Sequence, residues 1–400
     1  MKQKWLHHES MKWQNEGIIN DEQRKKILSK YEKTDNQSLI FFFGAILIGL
    51  ACLTLVAQNW HDIHHLIRMG IILFFLLLFY SLGNIFFDKN KSVYAVTCFI
   101  IALSIFGAGI FLSGQMYHYS MNDVLAFFIW GFVAFLVYLS RPHPMIFLSG
   151  LLILSAGQIY GLFSLNIFDW SLFALFMLAF GTVVFVRKDM TLSYFFAWLY
   201  LIQITIFTVD QFDELYWVIP FILMLYIAGL LVKSEKIRKP FQFVSTSVMF
   251  FVVIVQAFVF ESNYARDQLD VHYSYYILLF ILLIGAFLLT WKDDRLKIPI
   301  LALFFPVFII VDYTLLIAYI VLFIFSIGKL IEGYEKLERQ HVIYGTTAFL
   351  ISTFIVYFQV AWDYMDRSFF FLIGGLLLIV LGFLLERHRK KYMNEHRKEV

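Results

Sequence analysis

The chain has 400 residues, of which 60% are hydrophobic and 15% are charged. Soluble domains carry about 25% charged residues, so this composition excludes a large soluble protein. The net charge of +3 is small, and retention of Lys and Arg near anionic lipids explains it better than nucleic-acid binding. We therefore expect membrane lipids, and no nucleic acid, as partners. Cys52 and Cys98 lie inside apolar segments, which predicts neither a disulfide framework nor a thiolate metal site.

Residues 1–38 precede the first apolar segment, and their pattern predicts a cytoplasmic helical hairpin. Asn20 followed by Gln23 is typical of a capping box at a helix N-terminus, and Gly17 separates this helix from the segment before it. The helix carries an apolar stripe, which needs a partner. Packing within the hairpin is the favoured interpretation, and docking of a cytoplasmic protein to residues 1–34 is the alternative.

About 14 apolar segments follow in residues 39–386, most of them near the ~20 residues with which an α-helix crosses a bilayer. The predicted fold class is therefore all-α: a polytopic membrane protein with about 14 transmembrane helices (12–14) in one bundle. Residues 387–400 would form a basic cytoplasmic tail. The predicted spans are 39–58, 66–87, 93–114, 122–139, 145–163, 170–187, 191–209, 215–233, 242–260, 273–291, 297–311, 313–331, 342–361 and 368–386.

Lys and Arg residues follow every second segment. Because short basic loops stay in the cytoplasm, this alternation predicts that both termini are cytoplasmic. Arg68, Arg266 and Arg367 are the exceptions on the other side. We expect a multipass protein of the plasma membrane, which in a bacterium is the inner membrane.

The apolar run at residues 297–331 is too long for a single crossing, since one helix of that length would extend ~50 Å. A single crossing would also place the basic clusters at 292–297 and 329–339 on opposite sides. Two short crossings that turn at Asp312 are the prediction, and a re-entrant hairpin is the alternative.

Asp312 is also a candidate functional residue. It lies between two short segments that contain Pro299 and Pro306. A carboxylate in this position resembles the broken-helix sites of transporters, where backbone groups bind ions or substrate. A turn residue at the outer interface is the simpler interpretation.

A glutamine recurs near the outer end of the odd-numbered segments. The motif Gly114-Gln115-Met116-Tyr117 has a counterpart in Gly157-Gln158-Ile159-Tyr160, a pattern that tandem two-helix units would give. The alternative is that amides and aromatic residues favour the membrane interface. The recurring glutamines are Gln58, Gln115, Gln158, Gln203, Gln256 and Gln359.

Three histidines with helical spacing follow the first span. They are His61, His64 and His65. With His118 and Asp123 at the same predicted face they would suit zinc, but solvated histidines are the more common case, and we predict no metal. Asp123 is instead predicted to pair with Arg68 and so to clamp two helices.

Enzyme signatures are absent from the chain, which has no Walker loop, dinucleotide fingerprint or HExxH motif. We therefore predict no catalytic residue and no cofactor. A lipid-modifying membrane enzyme is the least favoured function.

Several motifs in residues 10–140 follow one known pattern. They are Trp13, the run Glu16-Gly17-Ile18-Ile19-Asn20-Asp21-Glu22-Gln23, Ile27, Gly44-Ala45-Ile46-Leu47-Ile48-Gly49, Ala57-Gln58-Asn59-Trp60, Arg68, Gly114-Gln115-Met116-Tyr117-His118, Asp123 and Trp130. Together they resemble the bacterial predicted membrane proteins catalogued as domain of unknown function 2157. The resemblance implies a membrane protein and brings no established activity or cofactor.

The function predicted from the sequence is that of a transporter-like membrane protein, which binds or moves a small polar or amphipathic substrate. The alternative is a membrane scaffold or sensor whose cytoplasmic hairpin docks a partner. The predicted substrate site lies at the outer ends of the first five segments. Its residues are Asn59 and Gln115 for hydrogen bonds, Trp60 and Tyr117 for stacking, and His118 with Asp123 as a protonatable pair.

Overall fold

The computed structural model describes most of the chain, and everything it describes is helix, turn or irregular coil. The described residues are 9–14, 16–24, 43–44, 46–51, 54, 64–116, 124–212, 214–260, 271–309, 311–362 and 365–396. No β-strand occurs among them, which confirms the all-α class. Nine of the helices within these ranges are long and apolar enough to cross a membrane, and three more apolar helices are shorter. The prediction of a multipass membrane protein is confirmed.

Twelve described helices fall on twelve of the predicted spans. They are α1 (His65–Asp88), α2 (Ser92–Met116), α3 (Leu125–Ser140), α4 (Pro144–Leu165, ending in a π-helical turn), α5 (Trp170–Arg187), α6 (Met190–Phe212), α7 (Leu215–Leu231), α8 (Glu235–Val259), α9 (Tyr273–Asp293), α10 (Thr314–Glu335), α11 (Arg339–Ala361) and α12 (Arg367–His396). The first predicted span is described only at residues 43–44, 46–51 and 54, which are helical.

The predicted span at 297–311 is not an α-helix. A 3-10 helix runs over Arg295–Phe304 and is followed by irregular backbone. Pro299 removes a backbone donor inside it, and Pro306 follows its end, so both residues disfavour a continuous α-helix here. The side chains of Ile300 and Phe304 are buried, and irregular backbone within a membrane is tolerated where protein covers it.

This 3-10 segment packs along α10, and the chain therefore turns back on itself. A Cβ atom at Gly328 would lie 2.4 Å from the Cβ atom of Pro299, so the small residue allows close contact. Lys297 and Lys329 line the same cavity. The basic clusters before and after residues 297–331 thus lie at the same end of this pair of segments, an arrangement that two crossings and a re-entrant hairpin share.

The chain divides into two compact units, Met1–Met121 with Leu136–Ile146, and Asn122–Phe135 with Phe147–Val400. In the first unit, α1 packs on α2 around a buried cluster that includes Ile72, Ile101 and Leu112. The outward side of α1 is apolar and exposed, for example at Leu66 and Leu77. Such a surface is expected against lipid, because bilayer chains solvate it as well as protein does.

Arg141, after α3, is held against the end of α1 in this unit. Its Nε atom donates to the side-chain oxygen of Asn84 over 3.2 Å, and its Nη2 atom lies 3.6 Å from a carboxylate oxygen of Asp88. The guanidinium also stacks 4.4 Å from the centre of the Phe87 ring. The basic loop is therefore part of the packed unit.

The N-terminal residues confirm the predicted capping box. The Gln23 backbone N–H donates to Asn20 Oδ1 over 2.8 Å, and the Asn20 N–H donates to Gln23 Oε1 over 3.0 Å. Gly17 has a φ of +72°, which glycine adopts readily. This conformation interrupts the helix between residues 9–14 and 21–24. Residues 25–38 of the predicted hairpin lie outside the described part.

Candidate functional site

A cavity of about 500 Å³ lies in the second unit, within the size range of small-molecule sites. It is surrounded by the beginnings of α6, α8, the 3-10 segment and α11, and by the ends of α9 and α10. The Lys and Arg alternation predicts that all these helix ends are cytoplasmic. Charged side chains of both signs line the cavity. The basic residues are Arg238, Lys239, Lys297, Lys329 and Lys336, the acidic residues are Glu235, Asp293, Asp294, Glu332 and Glu338, and His341 is also present.

Glu332 is the most deeply buried of these charges, with 0% of its surface exposed. Its carboxylate accepts hydrogen bonds from Lys329 Nζ over 2.9 Å and Lys336 Nζ over 2.8 Å. His341 Nδ1, from α11, lies 3.3 Å from the same carboxylate. An ionised carboxylate is expensive to bury without partners, and Glu332 has three: Lys329 of α10, Lys336 directly after α10 and His341 of α11.

Two aspartates at the end of α9 join the other elements. Asp293 pairs with Arg238 of α8, and Asp294 pairs with Lys336 after α10. Asp294 also accepts the backbone N–H of Leu296 over 3.2 Å, so that it caps the 3-10 segment. These contacts fix the helix ends around the cavity relative to one another.

Two of the four lysines that line the cavity, Lys336 and Lys297, differ in their surroundings. Burial alone would lower the pKa of Lys336, but hydrogen bonds to Asp294 and Glu332 outweigh it and raise that pKa. Lys297 has no such close carboxylate among the described residues: Asp293 is 4.0 Å from its Nζ atom, which donates to Gln242 Oε1 over 3.3 Å. Burial, with the nearby Arg238, lowers the pKa of Lys297 to about 8.

Several polar atoms at the cavity lack a well-formed hydrogen bond among the described residues. They include Arg238 Nε and Gln242 Nε2, which can only donate. The hydroxyl of Tyr226, which also lines the cavity, is buried and has no partner of good geometry among the described residues. Because buried polar groups normally find partners, this part of the wall is suited to a polar molecule.

The recurring glutamines have a structural role at one position. Gln158, in α4, is fully buried, and its Nε2 atom donates to the Asp169 carbonyl over 2.7 Å. The Asp169 N–H donates back to Gln158 Oε1 over 3.1 Å. Asp169 in turn caps α5 by accepting from the Leu172 N–H over 2.8 Å. Gln158 therefore fixes the turn between α4 and α5.

Replacing Gln158 with Leu should lower the free energy of unfolding, because it leaves the Asp169 N–H and carbonyl without partners. An unsatisfied buried group costs about 1–3 kcal/mol. Thermal unfolding of the purified chain measures the effect. Gln211→Leu, at an exposed glutamine near the end of α6, is the control and should change stability by less than about 0.5 kcal/mol. Equal stability of the two variants would contradict this role.

Other glutamines are less completely bonded. Gln203 donates to the Ser155 hydroxyl over 3.4 Å, and Gln359 donates to the Ala257 carbonyl over 2.9 Å. The Oε1 atoms of both, and of Gln256, are buried and lack a hydrogen-bond partner among the described residues. The glutamines thus make different contacts in different places, and Gln58 lies outside the described part.

Comparison with known families identifies the first third of the chain. Residues 11–147 match the family model described as predicted membrane protein (DUF2157). The resemblance expected from the sequence is confirmed over these residues. No curated protein and no solved structure matches the chain. The cavity is formed by residues after 147, so it lies outside the DUF2157 region.

The predicted substrate site lies within the DUF2157 region, and the structure describes little of it. Asn59, Trp60, Tyr117, His118 and Asp123 lie outside the described residues. Gln115 belongs to the last turn of α2. The six residues of this predicted site therefore remain a prediction.

The structure also describes Arg68, Asp312, and His64 and His65 of the predicted histidine cluster. Arg68, near the start of α1, is 6% exposed, and its proposed partner Asp123 is outside the described part. Asp312 is exposed in the short 3-10 turn Val311–Tyr313 before α10. Of the predicted histidine cluster, His64 caps α1 through Nδ1, which accepts from the Leu66 N–H over 3.4 Å. Among the residues that the structure describes, no group of three metal-ligating side chains occurs.

Sequence reasoning missed the cavity because it used the basic clusters only to orient the helices. The signal lay in the acids among those bases. Glu332 is three residues after Lys329 and four before Lys336, which places all three on one helix face. Asp293 and Asp294 likewise lie inside the cluster at 292–297. Oppositely charged residues at the end of an apolar helix indicate an internal network better than a solvated loop.

Proposed function

We propose that the chain is a transporter-like membrane protein that binds a small polar or amphipathic solute in the charged cavity. The observation that carries the proposal is the cavity itself, about 500 Å³ in volume and lined by charges of both signs, of which Lys329 and Glu332 are buried. Charges among membrane helices are expensive, and they usually mark ion or substrate sites. The ends of five elements, α8, α9, the 3-10 segment, α10 and α11, contribute them.

The cavity also has an apolar part, which suits an amphipathic solute. Phe243 of α8 and Tyr344 of α11 line it with their rings 5.7 Å apart. Met190 and Tyr194 of α6 extend the same wall. Pockets for small molecules combine such apolar walls with a few placed polar groups.

We propose about 14 crossings, with both termini cytoplasmic, in the plasma membrane of a bacterium. Convergence of the basic clusters at 233–239, 292–297 and 329–339 on one cavity supports this arrangement. In this arrangement, the 3-10 segment and the irregular backbone after it form one crossing, which starts after Lys297. Helix α10 forms the next crossing. The ~33 Å length of α10 supports the second crossing.

The proposed function is tested by a solute screen on the purified full-length chain in lipid nanodiscs. Anionic, cationic, zwitterionic and neutral metabolites are each added, and thermal stability is measured. A bound solute raises stability by mass action. At least one class should raise the unfolding temperature of the native chain but not of a Gln242→Trp variant, in which an indole fills the cavity. No stabilisation by any class would contradict the proposal.

A second candidate function is that of a scaffold or sensor whose N-terminal residues dock a cytoplasmic partner. The observation that favours it is Ile18, whose side chain is 65% exposed beside the capping box. Deletion of residues 1–34 should abolish the function of a scaffold in cells but preserve solute binding in nanodiscs. Loss of solute binding on this deletion would count against a separate docking role.

The outer residues are proposed as a second polar site of the same protein. Asn59, Trp60, Gln115, Tyr117, His118 and Asp123 would meet the solute at the other membrane face, and Arg68 would pair with Asp123. Support comes from the confirmed family match, since all of these residues lie within it. Asp312 is proposed for the turn at that face, where its exposure suits contact with water.

A further inference from the structure

We propose that the cavity binds the oxyanion group of its solute, a carboxylate or a phosphate, through Arg238, Gln242 and Lys297. This inference rests on the proposed solute-binding function and names the chemical class of the solute. The three residues come from the start of α8 and the start of the 3-10 segment. The Lys297–Gln242 hydrogen bond of 3.3 Å places their side chains together.

The unused hydrogen-bonding groups at this wall are donors. Arg238 pairs with Asp293 through Nη2, while its Nε–H has no partner among the described residues. Gln242 uses Oε1 to accept from Lys297 and leaves the Nε2 donors unbonded. A molecule that satisfies these groups must bring acceptors, and oxyanions present two or three acceptor oxygens in one compact group.

The charge balance at this wall also favours an anion. Lys297 is mostly buried, with 14% of its side chain exposed, and its nearest described carboxylate oxygen lies 4.0 Å away. The low pKa of Lys297, about 8, has the same cause, since burial and the neighbouring Arg238 both disfavour its charge. An anion bound here would compensate this cation.

The carboxylates of the cavity interior are already engaged, so they do not form a cation site. Glu332 accepts from Lys329 and Lys336, Asp294 pairs with Lys336, and Asp293 pairs with Arg238. A cationic solute would have to displace these lysines and the arginine. An oxyanion meets donors without displacing a partner.

The oxyanion can belong to a free solute or to a lipid headgroup, and the experiment separates these sources. Full-length chain in phosphatidylcholine nanodiscs is titrated with inorganic phosphate and, separately, with succinate, by calorimetry. In a second arm, the nanodiscs contain phosphatidylglycerol, and the same titrations are repeated. Binding of a soluble anion in the first arm, with unchanged affinity in the second, identifies a free solute. Competition by phosphatidylglycerol identifies the headgroup. Either result supports the proposed oxyanion site.

The variant Lys297→Gln should weaken anion binding at least tenfold. Lys292→Gln, at an exposed lysine in the last turn of α9 that does not line the cavity, is the matched control and should bind like the native chain. Circular dichroism and size-exclusion profiles establish that both variants fold. Equal affinity of the two variants, or no binding of either anion or phosphatidylglycerol, would overturn the inference. If cationic or neutral solutes then still stabilise the chain, the proposed solute-binding function holds although the oxyanion site does not.

Anion binding should depend on pH through Lys297. Its pKa of about 8 in the unoccupied cavity means that the amine is protonated, and binds anions, below pH 8. Affinity should therefore be highest below pH 8 and fall above it, with the midpoint moved upward by the bound anion. Lys297→Arg keeps its charge and should remove this decline up to about pH 9.5. An identical decline in the arginine variant would assign the pH dependence to another group.

Discussion

Replacing Glu332 with Gln should lower the free energy of unfolding by about 3–5 kcal/mol, the usual cost of removing one partner from a buried ion pair. Glu332 is completely buried and has Lys329, Lys336 and His341 around its carboxylate. Gln has almost the same shape, so packing is preserved and the loss is electrostatic. Thermal or denaturant unfolding in detergent micelles measures it.

Matched variants distinguish this electrostatic loss from a general sensitivity of α10 to substitution. Glu335→Gln changes an exposed carboxylate one turn away and should alter stability by less than about 0.5 kcal/mol. Lys329→Met should cost less than Glu332→Gln, because Glu332 then keeps Lys336 and His341. The double variant should be more stable than the sum of the two losses predicts, since both remove the same contact. Full additivity would show that the two side chains do not interact.

The variant Gly345→Leu should disrupt the packing of α10 on α11. A Cβ atom at Gly345 would lie 2.7 Å from the backbone nitrogen of Leu330 and 3.0 Å from the carbonyl carbon of Lys329. Backbone atoms cannot rotate away as a side chain can, so α10 would have to shift. Overpacking of this kind costs about 1–3 kcal/mol or more. Since Lys329 is at the point of contact, solute binding should fall together with stability.

Gly285→Leu is the control for this prediction. Gly285 lies in the apolar helix α9, and a Cβ atom there would meet nothing within 4 Å. Both variants gain the same helix propensity, and only the first creates a clash. Membrane abundance and unfolding temperature should fall for Gly345→Leu and stay near native for Gly285→Leu. A native-like Gly345→Leu protein would mean that the two helices are not in close contact.

The positions of the helices could be predicted from the sequence because a long run of hydrophobic residues is the direct signature of a helix suited to a membrane. The Asn20–Gln23 capping box could be predicted because it is a local pattern. Hydropathy carries no information on helix type, so the 3-10 segment at Arg295–Phe304 was predicted only as an apolar span. Its two prolines were visible, but their effect depends on how the neighbouring helices cover the freed backbone.

The cavity could not be predicted from local patterns, because its walls come from residues far apart in the chain. The alternation of basic loops predicts that the start of α8 and the ends of α9 and α10 lie on one side of the membrane. It did not indicate that Arg238, Asp293 and Lys336 would face inward and pair rather than extend into water. That outcome depends on close helix contacts such as Gly345 against Leu330, which a single sequence does not reveal.

The central claim is that the charged cavity is a solute site open to the cytoplasm, and cysteine labelling tests it most directly. Gln242→Cys is made in a chain whose Cys52 and Cys98 are replaced by Ser, and an impermeant maleimide is applied to oriented membrane vesicles. We expect labelling in inside-out vesicles, slowed by a bound solute, and none in right-side-out vesicles. Asp267→Cys, in a loop predicted to be external, should show the opposite. Labelling of Gln242→Cys from the outer side, or only after denaturation, would contradict the account.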